Sequence, residues 1–364
     1  MNGPFKLVPA FQDYLWGGTR LAKEFHKTPD KARFPEGTPI AESWECSTHA
    51  DGESMCVTGT TVTDGTVPQS PWETGDRWDS PPVTSPAPVP HDSSVPLSQY
   101  LRAHPEALGT HPNALPGELP VLIKLLDAAQ PPSVQVHPDD DYARVHENGS
   151  RGKTEMWYVI DALPGAKLVY GLTRTLSRDE LTEIVRQGKI ERYLQEVPVR
   201  KGDVFYIPAG TVHALGKGMV VYEVQECSNI TYRLYDYHRK DKNGRERELH
   251  IDKALDVMNL KGTPPPRQKL RSLRYRQGYA SEILSRCQYF QVERLLINTA
   301  GLKDGAPFAT DDTSFCVLTC TEGEGSLTAP DTAIPFVRGD SIFVPANCTG
   351  LTLTGKAELL LTRC

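Results

Sequence analysis

The chain has 364 residues, of which 24% are charged, and its formal net charge at pH 7 is −6. This length predicts two domains with ample cores. The mixed charge, with no basic stripe, argues against nucleic-acid binding. The start of the chain has no apolar signal core, and no run of about 18 apolar residues could form a membrane span. We therefore expect a soluble, cytoplasmic protein with neither nucleic-acid nor membrane partners.

The N-terminal part, residues 1–57, has the pattern of short strands and turns. An alternating run there places Glu42, Trp44 and Cys46 on one face of a strand. The composition then changes at 58–96, a segment with eight prolines among Thr, Ser, Asp and Gly. Such a segment can bury little apolar surface, so we expect an extended or partly disordered surface insertion.

Most of the following chain predicts strands, with one clear helix. The predicted strands are 119–126, 133–137, 155–160, 166–170, 204–207 and 219–224. A capping-box pattern from Ser177 to Glu180, followed by apolar residues at helical spacing, predicts a helical segment at 176–196. Residues 262–270 have the pattern of a linker, and from about Tyr289 to the end short apolar runs between turn residues indicate a second all-β unit. We therefore divide the chain into domains at 1–262 and 263–364.

A short alternating run lies near the middle of the chain. It places Ser133, Gln135 and His137 on one face of a strand, and Val134 and Val136 on the other. The polar face indicates either a binding site or an edge strand with a solvated side. The surrounding motifs decide between these alternatives.

The most specific pattern is G-x5-P-x-G-x2-H, which begins at Gly202. Its first glycine turns the chain into a strand. Pro208 and Gly210 then form a tight turn, because glycine accepts a positive φ without a steric penalty. The next strand presents His213 to the interior. This pattern resembles the second motif of the cupin barrel.

The first cupin motif is also present in a modified form. Gln135 and His137 stand where two histidines are usual, and Glu155 follows after a long loop. In such a barrel these three side chains and His213 converge. Two imidazoles, a carboxylate and an amide oxygen suit a borderline divalent ion with one open position. We expect one Zn²⁺ per chain.

The C-terminal part repeats this pattern in a degenerate form. The frame G-x5-P recurs from Gly339 to Pro345, Asn347 matches Gly210, and Gly350 matches His213. The strand–turn–strand pattern survives while the histidine is lost. We predict two cupin-type jelly-roll barrels with a small helical segment, an all-β fold with minor helices, in which the second barrel lacks a metal site.

Five segments together resemble the type I mannose-6-phosphate isomerases, in their shorter bacterial class. They are YLWGG at 14–18, AESW at 41–44, VQVHPD at 134–139, GKTEMWY at 152–158 and YRLYDY at 232–237. That family is zinc-dependent and interconverts mannose 6-phosphate and fructose 6-phosphate. The resemblance implies a hexose phosphate as the substrate, and we expect a monomer or weak homodimer.

The resemblance also implies individual roles. The zinc ligands of the family correspond to Gln135, His137, Glu155 and His213. Its active-site arginine corresponds to Arg233, its pocket lysines to Lys124 and Lys153, and its pocket glutamate to Glu223.

Glu223 is our candidate for the base that moves a proton between C1 and C2. Alternation places it on the opposite face of an apolar strand from Tyr222 and Val224. A carboxylate in such a strand is costly to bury without a function or a partner. The alternative is a buried salt bridge with Arg233 or Lys124.

The remaining pocket residues would bind and polarise the substrate. We expect Arg233 to stabilise enediolate charge, with a phosphate clamp as the alternative. Lys124 and Lys153 would polarise the substrate or hold its phosphate, although Lys153 faces inward only if its strand has already begun. Ser133 would donate to phosphate. The residues expected to line the mouth are Trp16, Glu42 and Trp44.

Two other classes of function stay open at this point. One is a cupin oxidoreductase that uses Fe²⁺ and dioxygen, which Gln135 and the cationic residues argue against. The other is a non-catalytic sugar-phosphate-binding protein, which the full set of metal and pocket residues argues against.

Overall fold

The structure is a computed structural model that describes residues 3–57, 94–113, 115–240 and 244–364. Most of the predicted insertion at 58–96 lies outside the described residues. Of this segment, the last three residues are described. They form a strand, Ser94–Pro96, that pairs with Met55–Val57.

The described residues form mainly strands. In the N-terminal part these are β1 (Phe5–Val8), β2 (Ala10–Gln12), β3 (Glu42–Cys46), β4 (Met55–Val57) and β5 (Ser94–Pro96). In the middle they are β6 (Val121–Ala128), β7 (Val134–Val136), β8 (Glu155–Ala162), β9 (Lys167–Leu172), β10 (Leu194–Pro198), β11 (Val204–Ile207), β12 (His213–Ala214), β13 (Met219–Glu226) and β14 (Tyr232–Tyr235). The six strands predicted between 119 and 224 match β6, β7, β8, β9, β11 and β13 to within two residues at each end.

The C-terminal strands and the short helices complete the described elements. The strands are β15 (Arg274–Arg276), β16 (Tyr279–Arg286), β17 (Gln291–Asn298), β18 (Ala306–Phe308), β19 (Cys316–Ala329), β20 (Thr332–Val337), β21 (Ser341–Val344) and β22 (Leu351–Arg363). The α-helices are α1 (Arg20–Glu24), α2 (Leu97–Ala103), α3 (Asp140–His146), α4 (Arg178–Arg186) and α5 (Ile251–Val257), and the 3₁₀ helices are Pro105–Leu108 and Ile190–Tyr193. Within the described ranges, no helix has the length and apolar character needed to cross a bilayer.

The N-terminal barrel consists of two sheets that pack face to face. One sheet has the strand order β11-β8-β13-β6-β3-β2, and the other has the order β10-β9-β12-β7-β14. Their facing sides share an apolar cluster that includes Val159 and Val221 from the first sheet and Leu168 and Val197 from the second. Polar side chains that point between these sheets are therefore shielded from bulk water.

The outer face of each sheet is covered in a different way. Val134 and Val136 of β7 pack under α4 and α5, where they meet Leu181 and Leu255. The alternation predicted for this strand is thus confirmed for its two valines. Tyr222 of β13 lies in the other large cluster, against the C-terminal strands.

The helical segment predicted at 176–196 is only partly correct. Ser177 caps α4 by accepting a hydrogen bond from the Glu180 amide at 3.2 Å, as the capping box predicts. The helix then ends at Arg186, before Gly188, which has φ of 64°. Beyond the 3₁₀ turn, Leu194 adopts extended geometry and pairs with β9, so the last residues of the predicted segment form a strand.

The internal repeat is visible in the backbone of the two barrels. Gly202 and Gly339, which start the repeated frame, have φ of 89° and 97°. At the turn that follows, Gly210 has φ of 82° and its counterpart Asn347 has φ of 56°. Asparagine tolerates this left-handed conformation better than most residues, which explains how the turn is kept without glycine.

One continuous sheet contains strands from both ends of the chain. Its order is β15-β16-β17-β22-β19-β21-β1-β4-β5, so β1 pairs with β21 on one side and with β4 on the other. The N-terminal strands thereby extend the C-terminal sheet. The division into 1–262 and 263–364 stays a prediction.

Phe343 lies at the centre of this junction, and its loss should be costly. The fully buried ring stacks between Phe5 and Phe315, with centroid distances of 5.2 and 5.1 Å. We expect Phe343→Ala to lower the free energy of unfolding by about 3–5 kcal/mol, the usual cost of such a cavity. Chemical denaturation measures this effect, with the exposed Tyr275→Ala as the control. A loss of less than about 1 kcal/mol would show that the junction repacks.

Candidate metal centre and substrate pocket

Three buried side chains converge between the two sheets of the N-terminal barrel. His137 follows β7, Glu155 begins β8 and His213 begins β12. Their ligand atoms all lie within 4.8 Å of one another, and each side chain is at most 1% exposed. His213 Nε2 is 3.1 Å from Glu155 Oε1, and His137 Nε2 is 3.6 Å from Glu155 Oε2. This is the spacing of groups that share one central ion.

Each histidine is oriented by a backbone carbonyl. His137 Nδ1 lies 2.8 Å from the carbonyl oxygen of Ile230, and His213 Nδ1 lies 2.8 Å from that of Thr211. A carbonyl accepts but cannot donate, so each Nδ1 carries the proton and each Nε2 presents a lone pair to the centre. A bonded Nδ1–H with a free Nε2 is the usual arrangement of a metal-binding histidine.

Gln135 is adjacent to this cluster across the sheet. It lies opposite His213 in the β7–β12 pairing, and its Nε2 is 3.4 Å from His213 Nε2. An amide can present either its nitrogen or its oxygen to the same point by rotation about one bond. Gln135 can therefore supply the oxygen that the sequence pattern predicts as a fourth ligand.

The donor set fits a divalent cation. Lys153 Nζ is 2.9 Å from Glu155 Oε2, yet neither oxygen of Glu155 accepts a hydrogen bond from the described residues. Both oxygens therefore keep lone pairs that a bound cation could accept as ligands. Burial opposes its charge, but Lys153 and His213 outweigh burial and hold the pKa of Glu155 well below its usual range.

The neighbouring imidazole has the protonation state that a metal requires. Burial, reinforced by the charge of Lys153, lowers the pKa of His137 well below its ordinary value. The ring is thus neutral at physiological pH, which leaves Nε2 free to bind a metal.

The loop before β8 brings Lys153 into the pocket. The strand begins at Glu155, yet Lys153 is only 4% exposed, and its Nζ is 3.2 Å from His137 Nε2. The loop is fixed by a hydrogen bond from the Lys153 amide to Pro138 O at 2.9 Å. Gly152 N also donates to Asp140 Oδ1 at 2.8 Å. Loop anchoring, rather than strand alternation, sets the direction of this lysine.

A row of polar residues crosses the first sheet beside the cluster. Lys124 pairs in register with Trp44 on one side and with Glu223 on the other, and Glu223 pairs with Trp157. Lys124 Nζ lies 3.4 Å from Glu223 Oε1 and 3.3 Å from Glu42 Oε2. Trp157 donates to Glu223 Oε2 at 2.8 Å. Glu223 thus makes the salt bridge with Lys124 that was considered as the alternative to a catalytic role.

The charges in this row perturb one another. Burial, followed by the nearby charge of Glu155, raises the pKa of Glu223. Burial opposes the charged form of Lys124, but Glu42 and Glu223 outweigh it and raise its pKa. A carboxylate with a raised pKa is a stronger base than one at its ordinary value.

One wall of the pocket also carries Arg233. This residue lies opposite Gln135 in the β14–β7 pairing, so its side chain leaves the sheet on the same face. Its Nη1 donates to Glu248 O at 2.7 Å, and its buried Nε has no partner among the described residues. Burial lowers the pKa of Arg233. Ser133 is buried just before β7, and its contact with substrate stays a prediction.

The three residues expected at the mouth are all buried. Glu42 and Trp44 are buried and joined by a 2.7 Å hydrogen bond from Trp44 Nε1 to Glu42 Oε2. Trp16 is buried in the apolar cluster between the sheets. Tyr14, to which the sequence pattern assigned no individual role, has its ring 6.0 Å from that of Trp16. Burial and the charge of Glu42, partly opposed by Lys124, raise the pKa of Tyr14 to about 12.

Alternation had predicted that Cys46 shares a face with Trp44, and this prediction was wrong. The pairing of β3 with β6 shifts register between Trp44 and Cys46, which is a β-bulge. Cys46 consequently lies in the apolar cluster on the far side of the sheet.

The fold and the site together define a cupin-type protein with a candidate metal centre in its first barrel. Two family models match the chain: the catalytic domain of type I phosphomannose isomerase at residues 74–158, and the cupin domain of mannose-6-phosphate isomerase at 281–363. The mannose-6-phosphate isomerase ManA of Bacillus subtilis (strain 168) is 33% identical over 99% of this chain and 98% of its own length. The mannose-6-phosphate isomerase of Streptococcus mutans is 31% identical with the same coverage. The chain belongs to the mannose-6-phosphate isomerase family.

Solved structures agree with this assignment. The crystal structure of the Bacillus subtilis mannose 6-phosphate isomerase superposes with a TM-score of 0.79, at 32% identity and with 99% of both chains covered. A zinc-bound mannose 6-phosphate isomerase has a TM-score of 0.69 at 16% identity over 99% of both chains, which shows a shared fold. The predicted fold class is thereby confirmed.

Proposed function

We propose that this protein interconverts mannose 6-phosphate and fructose 6-phosphate with one bound Zn²⁺. The observation that carries the proposal is the buried cluster of His137, Glu155 and His213, flanked by Gln135. It lies beside a row of paired buried charges within an otherwise apolar sheet interface. Membership of the family supplies the reaction and the substrate class.

The reaction moves a proton between C1 and C2 and a second proton between the two oxygens. When bound, Zn²⁺ acts as a Lewis acid that stabilises negative charge on those oxygens. Glu223 is held by Trp157 and Lys124 on the face that points into the barrel, and takes the carbon-bound proton and returns it to the neighbouring carbon. Its raised pKa suits both halves of this transfer.

The cations of the pocket stabilise charge that develops during the transfer. Arg233 is separated from His213 by strand β7 and lies on the same face as Gln135, where its guanidinium can donate to the enediolate. Lys124 forms ion pairs with both Glu223 and Glu42. Lys153 contacts both His137 and Glu155. These lysines pair with the buried carboxylates and polarise the substrate oxygens.

The substrate-binding roles follow from position. Ser133 precedes β7 and would donate to the substrate from the strand that carries Gln135. Trp44 holds Glu42 by a hydrogen bond, so the pair presents a fixed carboxylate for sugar hydroxyls. Trp16 would support this wall from behind.

Removal of the metal tests the proposal directly. We expect a chelator to abolish turnover of mannose 6-phosphate in a coupled assay for fructose 6-phosphate, and stoichiometric Zn²⁺ to restore it. Metal content is measured in the same samples. Full activity in metal-free protein would contradict the zinc site. Oxygen consumption with an iron-loaded sample would favour an oxidoreductase instead.

The assembly state and compartment are also proposals. We expect a monomer or weak homodimer that acts in the cytoplasm on a small hexose phosphate, with no nucleic-acid or membrane partner. Analytical ultracentrifugation over a range of protein concentrations measures the first of these.

A further inference from the structure

Two carboxyl groups outside the metal centre hold the loop that carries Lys153. Glu226 is the last residue of β13 and is 2% exposed, and its Oε1 accepts from the Thr154 amide at 2.7 Å. Asp140 is the first residue of α3, and its Oδ1 accepts from the Gly152 amide at 2.8 Å. The two residues that flank Lys153 are therefore each bound through their backbone to one carboxyl group.

The loop is pressed against the start of α3. A Cβ atom at Gly152 would lie only 2.5 Å from the backbone nitrogen of Asp140, closer than real Cβ atoms approach. Thr154 is fixed on the other side, because its carbonyl oxygen accepts from the Glu226 amide at 3.1 Å. The backbone between these two points has little freedom, so the direction of the Lys153 side chain depends on them.

A tyrosine from the C-terminal part of the chain completes this cluster. Tyr289 lies in the turn between β16 and β17, and its hydroxyl donates to Asp140 Oδ2 at 3.1 Å. The two oxygens of Asp140 are thus bound from opposite sides, one by Gly152 and the other by Tyr289. The second barrel thereby contacts a loop of the barrel that carries the metal centre.

The groups that face the Glu226 carboxyl are acids. They are Asp140 from α3, Tyr206 from β11, and Cys287 and Tyr289 from the turn between β16 and β17. None of them brings a positive charge. The nearby Lys153 directs its Nζ to Glu155 instead, at 2.9 Å.

Two carboxyl groups in this arrangement repel each other when both are ionised. Burial, followed by the charge of Asp140, raises the pKa of Glu226 to about 8. At neutral pH Glu226 is therefore largely protonated, and its hydroxyl can donate to Asp140, which lies within hydrogen-bond reach. A proton in this position links the end of β13 to the start of α3 across the loop.

We propose that Glu226 and Asp140 share one proton, and that the protonated pair positions Lys153 for the isomerase reaction. This inference rests on the proposed function, in which Lys153 acts beside Glu155 and polarises the substrate. Glu226 and Asp140 are positioning residues, because they act on the loop backbone and not on the substrate. When the proton is lost at alkaline pH, the two negative charges repel and their hold on the loop weakens.

The pH profile of the zinc-loaded enzyme tests this inference. We expect wild-type kcat for mannose 6-phosphate to fall as pH rises above about 8. Glu226→Gln keeps an acceptor for the Thr154 amide and a donor towards Asp140 at every pH, so its alkaline limb should move up by at least about one pH unit. Asp140→Asn can donate to an ionised Glu226, so it should move the limb in the same direction. Zinc content, measured at each pH, should match the wild type.

Two further variants separate positioning from general damage. Asp141→Asn is the matched control, because Asp141 follows Asp140 on α3, its side chain is 86% exposed, and it pairs with Arg144. We expect the wild-type profile for it. Glu226→Ala leaves the Thr154 amide without its acceptor and should lower kcat about 10- to 100-fold, a loss that Glu226→Gln should largely restore.

An alkaline limb within about 0.3 pH units of the wild-type limb in Glu226→Gln would overturn the inference. If that variant does not fold, the same result in Asp140→Asn decides against it. A wild-type kcat that stays constant up to about pH 9 would also overturn it.

Absence of isomerase activity in the wild type would instead overturn the proposed function, and chemical denaturation would still test the shared proton. A raised pKa means that Glu226 contributes stability that is present below its unfolded pKa of about 4.3 and is lost as pH rises through about 8. The free energy of unfolding of the wild type, minus that of Glu226→Gln, should therefore fall over this range. A constant difference would show that no proton is shared.

Discussion

Replacing Glu155 by glutamine is expected to remove bound zinc and lower isomerase activity more than about 1000-fold, since the Lewis acid supplies several kcal/mol. Glu155 lies between His137 and His213, and its two oxygens accept no hydrogen bond from the described residues. An amide of the same shape brings a neutral oxygen where the ion requires charge. Metal analysis and the coupled assay measure both effects.

Glu45→Gln is the matched control for this substitution. Glu45 is also a fully buried glutamate paired with a lysine, since its Oε1 lies 2.7 Å from Lys27 Nζ. Loss of its charge should cost about 3–5 kcal/mol of stability, because it leaves a buried ammonium unpaired. Zinc content and kcat of the folded protein should stay at wild-type values. Full zinc occupancy in Glu155→Gln would rule out Glu155 as a ligand.

Glu223→Gln should separate proton transfer from metal binding. If Glu223 is the base, kcat falls about 10²- to 10⁴-fold while zinc content and KM change little. Exchange of the C2 proton with solvent, followed by NMR in deuterated water, should fall by the same factor. The hydrogen bond from Trp157 Nε1 can still be accepted by the amide oxygen, so the pocket should keep its shape.

Glu282→Gln provides the comparison for Glu223→Gln. Glu282 is a buried carboxylate on β16 that pairs with Arg294 at 2.5 Å and with Arg271 at 3.5 Å. We expect it to lose stability and keep wild-type proton exchange. Unchanged exchange in Glu223→Gln would clear Glu223 of the base role and leave it as the structural partner of Lys124.

Much of the metal centre could be predicted because it depends on local patterns. Alternation in β7 correctly separated Val134 and Val136 from the polar face. The turn at Gly210 placed His213 at the start of β12. These features follow from the two-residue period of a strand and from a glycine that permits a positive φ at the turn. Both can be recognised in the sequence.

Features that depend on register or on distant loops could not be predicted in this way. The bulge in β3 moves the Cys46 side chain to the other face of the sheet. No glycine or proline in the sequence marks the position of this bulge. Lys153 is turned inward by loop hydrogen bonds to Pro138 and Asp140, not by strand alternation. The contact between Asp236 and Arg247, which are 11 residues apart in the chain, likewise follows from no local periodicity.

The pairing of β1 with β21 has a consequence for synthesis on the ribosome. Lys6 and Asp340, which form a 2.8 Å ion pair beside this pairing, are 334 residues apart in the chain. The first strand to emerge therefore waits until almost the whole chain has been translated before it finds its neighbour. Contacts of such separation slow folding and leave strand edges exposed meanwhile. Truncated chains that end before β21 should consequently be prone to aggregation, even though they contain all four candidate metal ligands.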